Sequence, residues 1–125
     1  MTTMLRNTVL VGSAHKASAT AIQEILVLND VCHVTSSTTL WKKLKTESES
    51  VGLVIVEDEM WGKNFTTAIA RVRKNYGVPV VAVLSDATEK SMGRALLAGA
   101  SGIVRGPILD VHGIVDAVND AMLAY

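Results

Sequence analysis

The stretch "VIVEDEMWG" at residues 54–62 places three carboxylates, on Glu57, Asp58 and Glu59, directly after a run of β-branched residues. A short, continuous apolar run of this kind is typical of a strand that is covered on both faces of a parallel sheet. Acidic side chains at the end of such a strand indicate a metal or phosphoryl-transfer site, or the remains of one. The ends of the other strands decide between these two interpretations.

Four more apolar runs have the length of strands. Those at residues 8–12, 78–85 and 101–106 are nearly continuous, and the one that begins at Val31 alternates as an edge strand does. Between the runs, apolar residues recur at helical spacing. Five alternations of strand and helix predict right-handed crossovers and an α/β three-layer sandwich. The helical stripes are Ala21, Ile22, Ile25 and Leu26; Leu40, Trp41 and Leu44; Phe65, Ile69 and Val72; Met92, Ala95 and Leu96; and Val111, Ile114, Val115, Val118 and Met122.

Length and charge narrow the class of protein. The 125 residues suffice for one domain with its own core, which we expect to span residues 1–125. Twelve Lys and Arg balance twelve Asp and Glu, so the net charge predicts neither a nucleic acid nor a membrane as partner. Cys32 is the single cysteine, which excludes a disulfide framework and favours a reducing compartment. No segment has the pattern of a secretion signal or a membrane span, so we expect a cytoplasmic protein.

Three segments, in order and at the right spacing, resemble the receiver domain of two-component response regulators. "VGLVIVEDEMWG" at residues 51–62 is similar to the family's third strand and the loop after it, and "VPVVAVLSDAT" at residues 78–88 to its fourth strand. The most specific match is "ALLAGASGIVRGPI" at residues 95–108, where the family has G-A-x-G before a Lys-Pro pair. The resemblance implies a flavodoxin-like fold, with five parallel strands in the order 2-1-3-4-5 flanked by five helices.

The resemblance also implies a phosphorylation site that this sequence has largely lost. The family carries a phosphorylated aspartate at the end of strand 3, two acids after strand 1 that help to hold Mg²⁺, and a lysine before the strand-5 proline. Here Glu57 occupies the phosphoacceptor position, Gly12 and Ser13 occupy the acid-pair positions, and Gly106 occupies the lysine position.

The resemblance also implies a hydroxyl side chain just after strand 4, which would contact the phosphoryl group. This hydroxyl has two candidate positions in the present chain. The spacing from the strand-4 proline places the hydroxyl position at Leu84, which carries no hydroxyl, whereas a small insertion would place it at Ser85.

Phosphoryl transfer to a carboxylate needs a divalent cation and a fixed positive charge, and Mg²⁺ needs oxygen ligands in near-octahedral geometry. Because the acids and the lysine are replaced, we predict a degenerate pseudo-receiver with no catalytic residue, metal or cofactor.

The remaining acids have alternative roles. The Glu57 carboxylate either mimics a phosphorylated aspartate or faces solvent at the strand end, and we favour the solvent-facing position. A weak cation site formed by Glu57, Asp58 and Glu59 is a third and less favoured interpretation.

Several conspicuous side chains have structural rather than functional explanations. We expect Trp61 to cover the vacant pocket or pack on the core rather than to anchor a partner. His33 and His112 are predicted to be isolated. A lysine cluster on the second helix is predicted to be a solvated helix face; its members are Lys42, Lys43 and Lys45.

These observations favour a non-enzymatic signalling module that acts through a protein partner, an output domain or its own dimerisation, with a transcriptional output and no direct binding of nucleic acid or membrane. The resemblance implies that the face formed by the fourth helix, fifth strand and fifth helix carries this contact. Its candidate residues are Ser91, Arg94, Arg105, Asp116, Asp120 and Tyr125. Two alternatives stay open. One is a receiver that still accepts phosphate at a rearranged site, with Asp58 as acceptor, and the other is a small-molecule sensor that uses the vacated pocket.

Overall fold

The computed structural model describes residues 8–14, 16–26, 30–86, 88–105, 116–118 and 120. Its centre is one five-stranded parallel sheet in the order β2-β1-β3-β4-β5. The predicted strand order is therefore confirmed, and so is the edge position of the strand that begins near Val31. The strands are β1 (Thr8–Gly12), β2 (Asp30–Val34), β3 (Val51–Glu57), β4 (Val80–Leu84) and β5 (Gly102–Arg105).

Helices alternate with the strands, as the sequence pattern predicts. One short element was not expected, because the acidic segment after β3 forms a single helical turn instead of an irregular loop. The helices are α1 (Lys16–Ile25), α2 (Ser37–Glu47), α3 (Asp58–Trp61), α4 (Phe65–Tyr76) and α5 (Glu89–Ala98), with a 3₁₀ turn at Gly62–Asn64. Residues 116–118 and 120 are also helical. Within the described residues, no helix combines the length and the apolar character needed to cross a bilayer.

Two apolar layers, one on each face of the sheet, enclose β3. Successive strand residues point to opposite faces, so Val54 and Val56 pack with α2 and α4, whereas Leu53 and Ile55 pack on the other face with Ile22 of α1. Burial on both faces explains why β3 reads as a continuous apolar run rather than as an alternating one. The same alternation determines which strand-end side chains can meet.

Local sequence signals set the helix ends. Ser36 caps α2 by accepting a hydrogen bond from the Thr39 amide, and Thr88 and Ser91 form a reciprocal capping box at the start of α5. Helix α4 ends at Tyr76 and is followed by Gly77, whose φ of 63° lies in the left-handed region that glycine adopts without strain. These caps direct each chain segment back to the sheet.

Two surface expectations have different outcomes. The lysine cluster of α2 lies on the outer helix face as predicted, where Lys43 pairs with Glu47 at 3.1 Å and this hydrogen bond raises the pKa of the lysine. The prediction that Leu96 belongs to the buried apolar stripe of α5 is wrong, because Leu96 is 55% exposed. The next residue, Leu97, is 91% exposed. Only Ala95 of α5 is fully buried. The helix therefore presents two leucines to solvent.

Two glycine substitutions should change stability in opposite directions. Gly77→Ala places a side chain at a positive φ and should lower the free energy of unfolding by about 1 kcal/mol. Gly93→Ala lies inside α5 with open space around the new methyl group, and should raise the free energy of unfolding by about 0.5 to 1 kcal/mol. Urea denaturation followed by circular dichroism measures both, and equal effects of the two variants would contradict the assigned helix end.

Candidate functional site

The predicted site residues converge at the carboxyl edge of the sheet. Glu57 is the last residue of β3, Ser13 follows β1, and Ser85 follows β4. In an open parallel sheet this edge is where ligands and reacting groups collect, because the loops that leave the strands form a crevice there. The geometry of these three strand ends therefore decides what chemistry the chain can support.

Glu57 and Ser13 point to the same face of the sheet and bond directly to each other. The Ser13 hydroxyl donates to Oε2 of Glu57 at 3.0 Å, and both side chains are buried, with Glu57 only 3% exposed. The expectation that this carboxylate faces solvent is wrong. Strand alternation explains the burial, since Glu57 follows Leu53 and Ile55 on the face covered by α1. A carboxylate in such a position needs hydrogen-bond donors to offset the loss of water.

His33 supports the backbone of this pair. Its Nε2 lies 2.8 Å from the Ser13 carbonyl oxygen, which can only accept, so Nε2 carries the donated proton. The Ser13 amide in turn donates to the carbonyl of Val34 at 3.1 Å. The prediction that His33 is isolated is therefore wrong. Sequence reasoning missed it because the predicted strand order makes β1 and β2 neighbours but does not determine their register, which pairs Val11 with His33.

Gly12 points to the opposite face, into apolar side chains. A Cβ atom at this position would lie 2.9 Å from Cδ1 of Leu40 and 3.0 Å from Cε of Met60. The volume that an acidic side chain would need is thus filled by Leu40 and Met60, which pack on the core of this face. The family-like acid pair is absent from the sequence, and its first position is also closed by packing. No sequence signal identified Met60 as the residue that closes it.

Asp58 ties the loop after β3 to the loop after β4. Its two carboxylate oxygens accept hydrogen bonds from the Ser85 amide, each at 3.1 Å, and Oδ2 also accepts from the Ser85 hydroxyl at 3.0 Å. Leu84 is buried in the core on the α4 side. Of the two candidates for the strand-4 hydroxyl, Ser85 is exposed and bonds to Asp58 rather than to Glu57, whereas Leu84 has no hydroxyl to offer.

The acids after β3 do not gather into a cation site. The Glu57 carboxylate turns inward to Ser13, the Asp58 carboxylate turns to Ser85, and Glu59 is exposed. Across the parts of the chain that the structure describes, no three His, Cys, Asp or Glu side chains come together in a group able to hold a metal ion. The described residues therefore do not fit the Mg²⁺ that the sequence resemblance implies, since near-octahedral oxygen ligation has too few ligands here.

Other predicted positions are distributed as follows. Gly106 and Tyr125 lie outside the described residues. Arg105, Asp116 and Asp120 are exposed. Ser91 and Arg94 line a cavity together with Phe65 and Thr66 of α4, which places them on the side of α5 that meets α4. Leu96 follows Arg94 by two positions, or about 200° around the helix, and so lies on the opposite side, whereas Leu97 lies within about 60° of Arg94.

Trp61 packs on the core, which confirms the structural role expected for it. Its ring meets the ring of Trp41 with centroids 5.2 Å apart at a tilt of 58°, and the Arg71 guanidinium lies 4.1 Å from the Trp41 ring centroid. These contacts fasten α3 to α2 and α4 and stabilise the turn that carries Asp58. Trp61 Nε1 is buried without a hydrogen-bond partner among the described residues.

The fold is that of receiver domains in solved structures. A response regulator from Thermotoga maritima matches with a TM-score of 0.83 and 18% identity, covering 93% of this chain and 97% of its own. The signal receiver domain of the putative response regulator NarL from Mycobacterium tuberculosis has a TM-score of 0.78 and 19% identity, with 97% and 99% covered. An atypical orphan response regulator has a TM-score of 0.80 and 16% identity, with 94% and 97% covered. By sequence, no family model and no curated protein matches.

The Ser13–Glu57 hydrogen bond should be measurable as a coupling energy. Ser13→Ala removes one donor from a buried carboxylate and should lower the free energy of unfolding by about 1 to 3 kcal/mol. In a Glu57→Met background the same change should cost much less, giving a coupling of at least about 1 kcal/mol. Urea denaturation of the four proteins in this cycle provides the measurement. Additive effects would show that the two side chains do not interact.

The closed space at Gly12 separates a steric from an electrostatic effect. Gly12→Ala displaces only the flexible ends of Leu40 and Met60, and should cost about 1 kcal/mol or less. Gly12→Asp adds a carboxylate among apolar groups and should cost about 2 kcal/mol or more in unfolding free energy. Melting curves and urea titrations distinguish the two. An aspartate variant as stable as the alanine variant would mean that this position opens to water.

Proposed function

We propose that this chain is a receiver-like signalling module that acts without phosphorylation and without catalysis, through contact with a protein partner or a second copy of itself. The observation that carries the proposal is the buried hydrogen bond between Ser13 and Glu57. In a phosphorylatable receiver, two acids and a cation would occupy this part of the sheet edge. Here a hydroxyl and a longer carboxylate meet directly, so neither a cation nor an in-line phosphoryl donor has access to Glu57.

Asp58 supports the same conclusion from the neighbouring loop. In the resembled family, a hydroxyl after strand 4 contacts the phosphoryl group. In this chain the Ser85 hydroxyl and amide already bond to the Asp58 carboxylate. We infer that Asp58 holds the loop after β4 in one position permanently, and that this position does not depend on a kinase. An acceptor whose two oxygens are engaged in this way is also a poor nucleophile, which disfavours Asp58 as an alternative phosphorylation site.

The exposed leucines of α5 mark the surface that we propose for the partner. Leu96 and Leu97 are the exposed large hydrophobic side chains of the described residues, and large apolar side chains are enriched at the centres of protein interfaces. Arg105 of β5 and the acids Asp116 and Asp120 supply exposed charges of both signs for orienting a partner. Ser91 and Arg94 are assigned instead to the cavity between α5 and α4.

The wider biological assignment extends this proposal. Residues 1–125 form one receiver-like domain, either free-standing or as the N-terminal part of a regulator with a transcriptional output domain, and it works in the cytoplasm. One structural neighbour, the atypical orphan response regulator, is described as revealing a new phosphorylation-independent regulatory mechanism. That description concerns the neighbour, and it lends support here through the shared fold alone.

Treatment with acetyl phosphate and Mg²⁺ tests the proposal. Intact mass spectrometry should show no adduct on this protein, because the site neither holds the cation nor presents a carboxylate for attack. A receiver with a complete acid set, treated in parallel, provides the positive control. A phosphate adduct on Glu57 or Asp58 would contradict the proposal, and peptide mapping would identify which carboxylate carries it.

The partner surface makes a separate prediction. A double substitution, Leu96→Glu and Leu97→Glu, should weaken self-association or partner binding by at least about tenfold, because it places charge at the apolar centre of the surface. Unfolding free energy should change little, since both side chains are exposed. Thr38→Glu with Thr67→Glu adds the same charge at exposed positions of α2 and α4 and serves as the control. Analytical ultracentrifugation measures the effect, and equal behaviour of the two double variants would exclude this surface.

A further inference from the structure

A cavity of about 300 Å³ opens next to Asp58, on the side away from Glu57. The 3₁₀ turn after α3 and the first turn of α4 form one wall, and the first two turns of α5 form the other. The Ser13–Glu57 pair lies on the opposite face of the sheet and does not line this cavity. The degenerate phosphorylation site and this cavity are therefore two separate places at the same sheet edge.

Positive charge dominates the walls. Lys63 comes from the 3₁₀ turn, and Lys90 and Arg94 come from successive turns of α5. All three are exposed at the cavity rim, and none forms an ion pair with another residue that the structure describes. Among the described residues that line the cavity, Asp58 is the one carboxylate, and the amide and hydroxyl of Ser85 already engage it. Three cationic residues and one acidic residue thus line the cavity, in a chain whose net charge is zero.

The neutral groups of the cavity suit a ligand with both a charged and an uncharged part. Phe65 and Leu84 are buried and form an apolar floor. The Thr66 hydroxyl lines the cavity and makes no hydrogen bond to another described residue, so it can donate to a ligand oxygen. Thr88 caps the start of α5, whose positive dipole end adds to the attraction for an anion. Charge, a free hydroxyl and an apolar surface thus meet within a few side chains.

We propose that this cavity binds the phosphate group of a small phosphorylated metabolite, no larger than a mononucleotide. Lys63 of the 3₁₀ turn, with Lys90 and Arg94 of α5, provides the charge-assisted hydrogen bonds that a phosphate dianion accepts. The volume lies at the small end of the range for ligand pockets, which leaves room for a compact organic body against Phe65 and Leu84. The recessed apolar floor favours a small molecule over an extended strand of nucleic acid. Such a ligand would bridge α4 and α5 beside the loop that Asp58 holds.

Backbone amide NMR titrations with AMP, inorganic phosphate and adenosine test the proposal. AMP should shift the amides around residues 62–66 and 88–94 with a dissociation constant of roughly 1 mM or tighter, and added salt should weaken it. Phosphate should shift the same amides more weakly, and adenosine should shift none of them. Equal affinities for phosphate and AMP would identify free inorganic phosphate as the ligand. This result would support the anion site and contradict the proposal that the cavity also binds an organic part of the ligand.

A charge-matched pair of variants makes the test specific. Lys63→Ala with Lys90→Ala should weaken AMP binding by at least about tenfold, because each removes a charge-assisted hydrogen bond. Lys45→Ala with Lys74→Ala removes two exposed lysines from the last turns of α2 and α4, and should leave binding unchanged. Both substitutions of each pair are on the surface, so folding should be preserved.

Three results would overturn the inference. They are the absence of any AMP or phosphate binding at about 10 mM ligand, adenosine binding as tightly as AMP, and equal loss of affinity in the two lysine pairs. The intact mass of the protein after the titration separates this inference from the proposed function. Reversible binding with an unchanged protein mass supports the proposal that the cavity binds a phosphate group without phosphorylation of the protein. Failure to bind would contradict this inference but not the proposal of phosphorylation-independent signalling.

Discussion

The hydrogen bond from the Ser13 hydroxyl to the buried Glu57 carboxylate is the constraint on which the candidate site depends. Glu57 ends β3, Ser13 directly follows the neighbouring parallel strand β1, and the two share one face of the sheet, so the fold itself brings them into contact. Here the longer carboxylate and the short hydroxyl contact each other directly, and both side chains are buried. A carboxyl group buried in this way depends on hydrogen-bond donors such as the Ser13 hydroxyl to offset the loss of water. We infer that the site is closed by its own side chains.

The hydrogen bond between Ser13 and Glu57 closes one face of the sheet edge. Apolar packing closes the other face, and a hydrogen bond fixes the loop after β4. Leu40 and Met60 fill the space beside Gly12, and Asp58 fixes Ser85. These three arrangements share one feature, because each is a contact made entirely within the chain. We infer a domain whose strand-end loops are held in one state. Its regulation would then come from partner concentration, or from a ligand that binds beside these loops.

Much of the fold followed from the sequence, because the signals were local and repeated. Continuous β-branched runs at residues 8–12 and 51–57 matched β1 and β3, and the alternating run at Val31 marked the edge strand. The side-chain geometry at the site was harder to predict. The burial of Glu57 depends on which face the last residue of β3 occupies, and the contacts of His33 and Met60 join residues that are distant in sequence. Spacing alone does not report such contacts, nor did it show that Leu96 turns outward.

An amide NMR titration with Mg²⁺ and beryllofluoride, which together occupy the site of a phosphorylatable receiver, tests most directly whether the site around Ser13 and Glu57 is closed. We expect the amide signals of Gly12, Ser13, Glu57 and Asp58 to keep their chemical shifts at saturating reagent, since neither ion can displace the Ser13–Glu57 contact. Saturable shifts at these amides that require both ions would contradict this expectation, and would mean that Glu57 leaves Ser13 to receive a phosphoryl group.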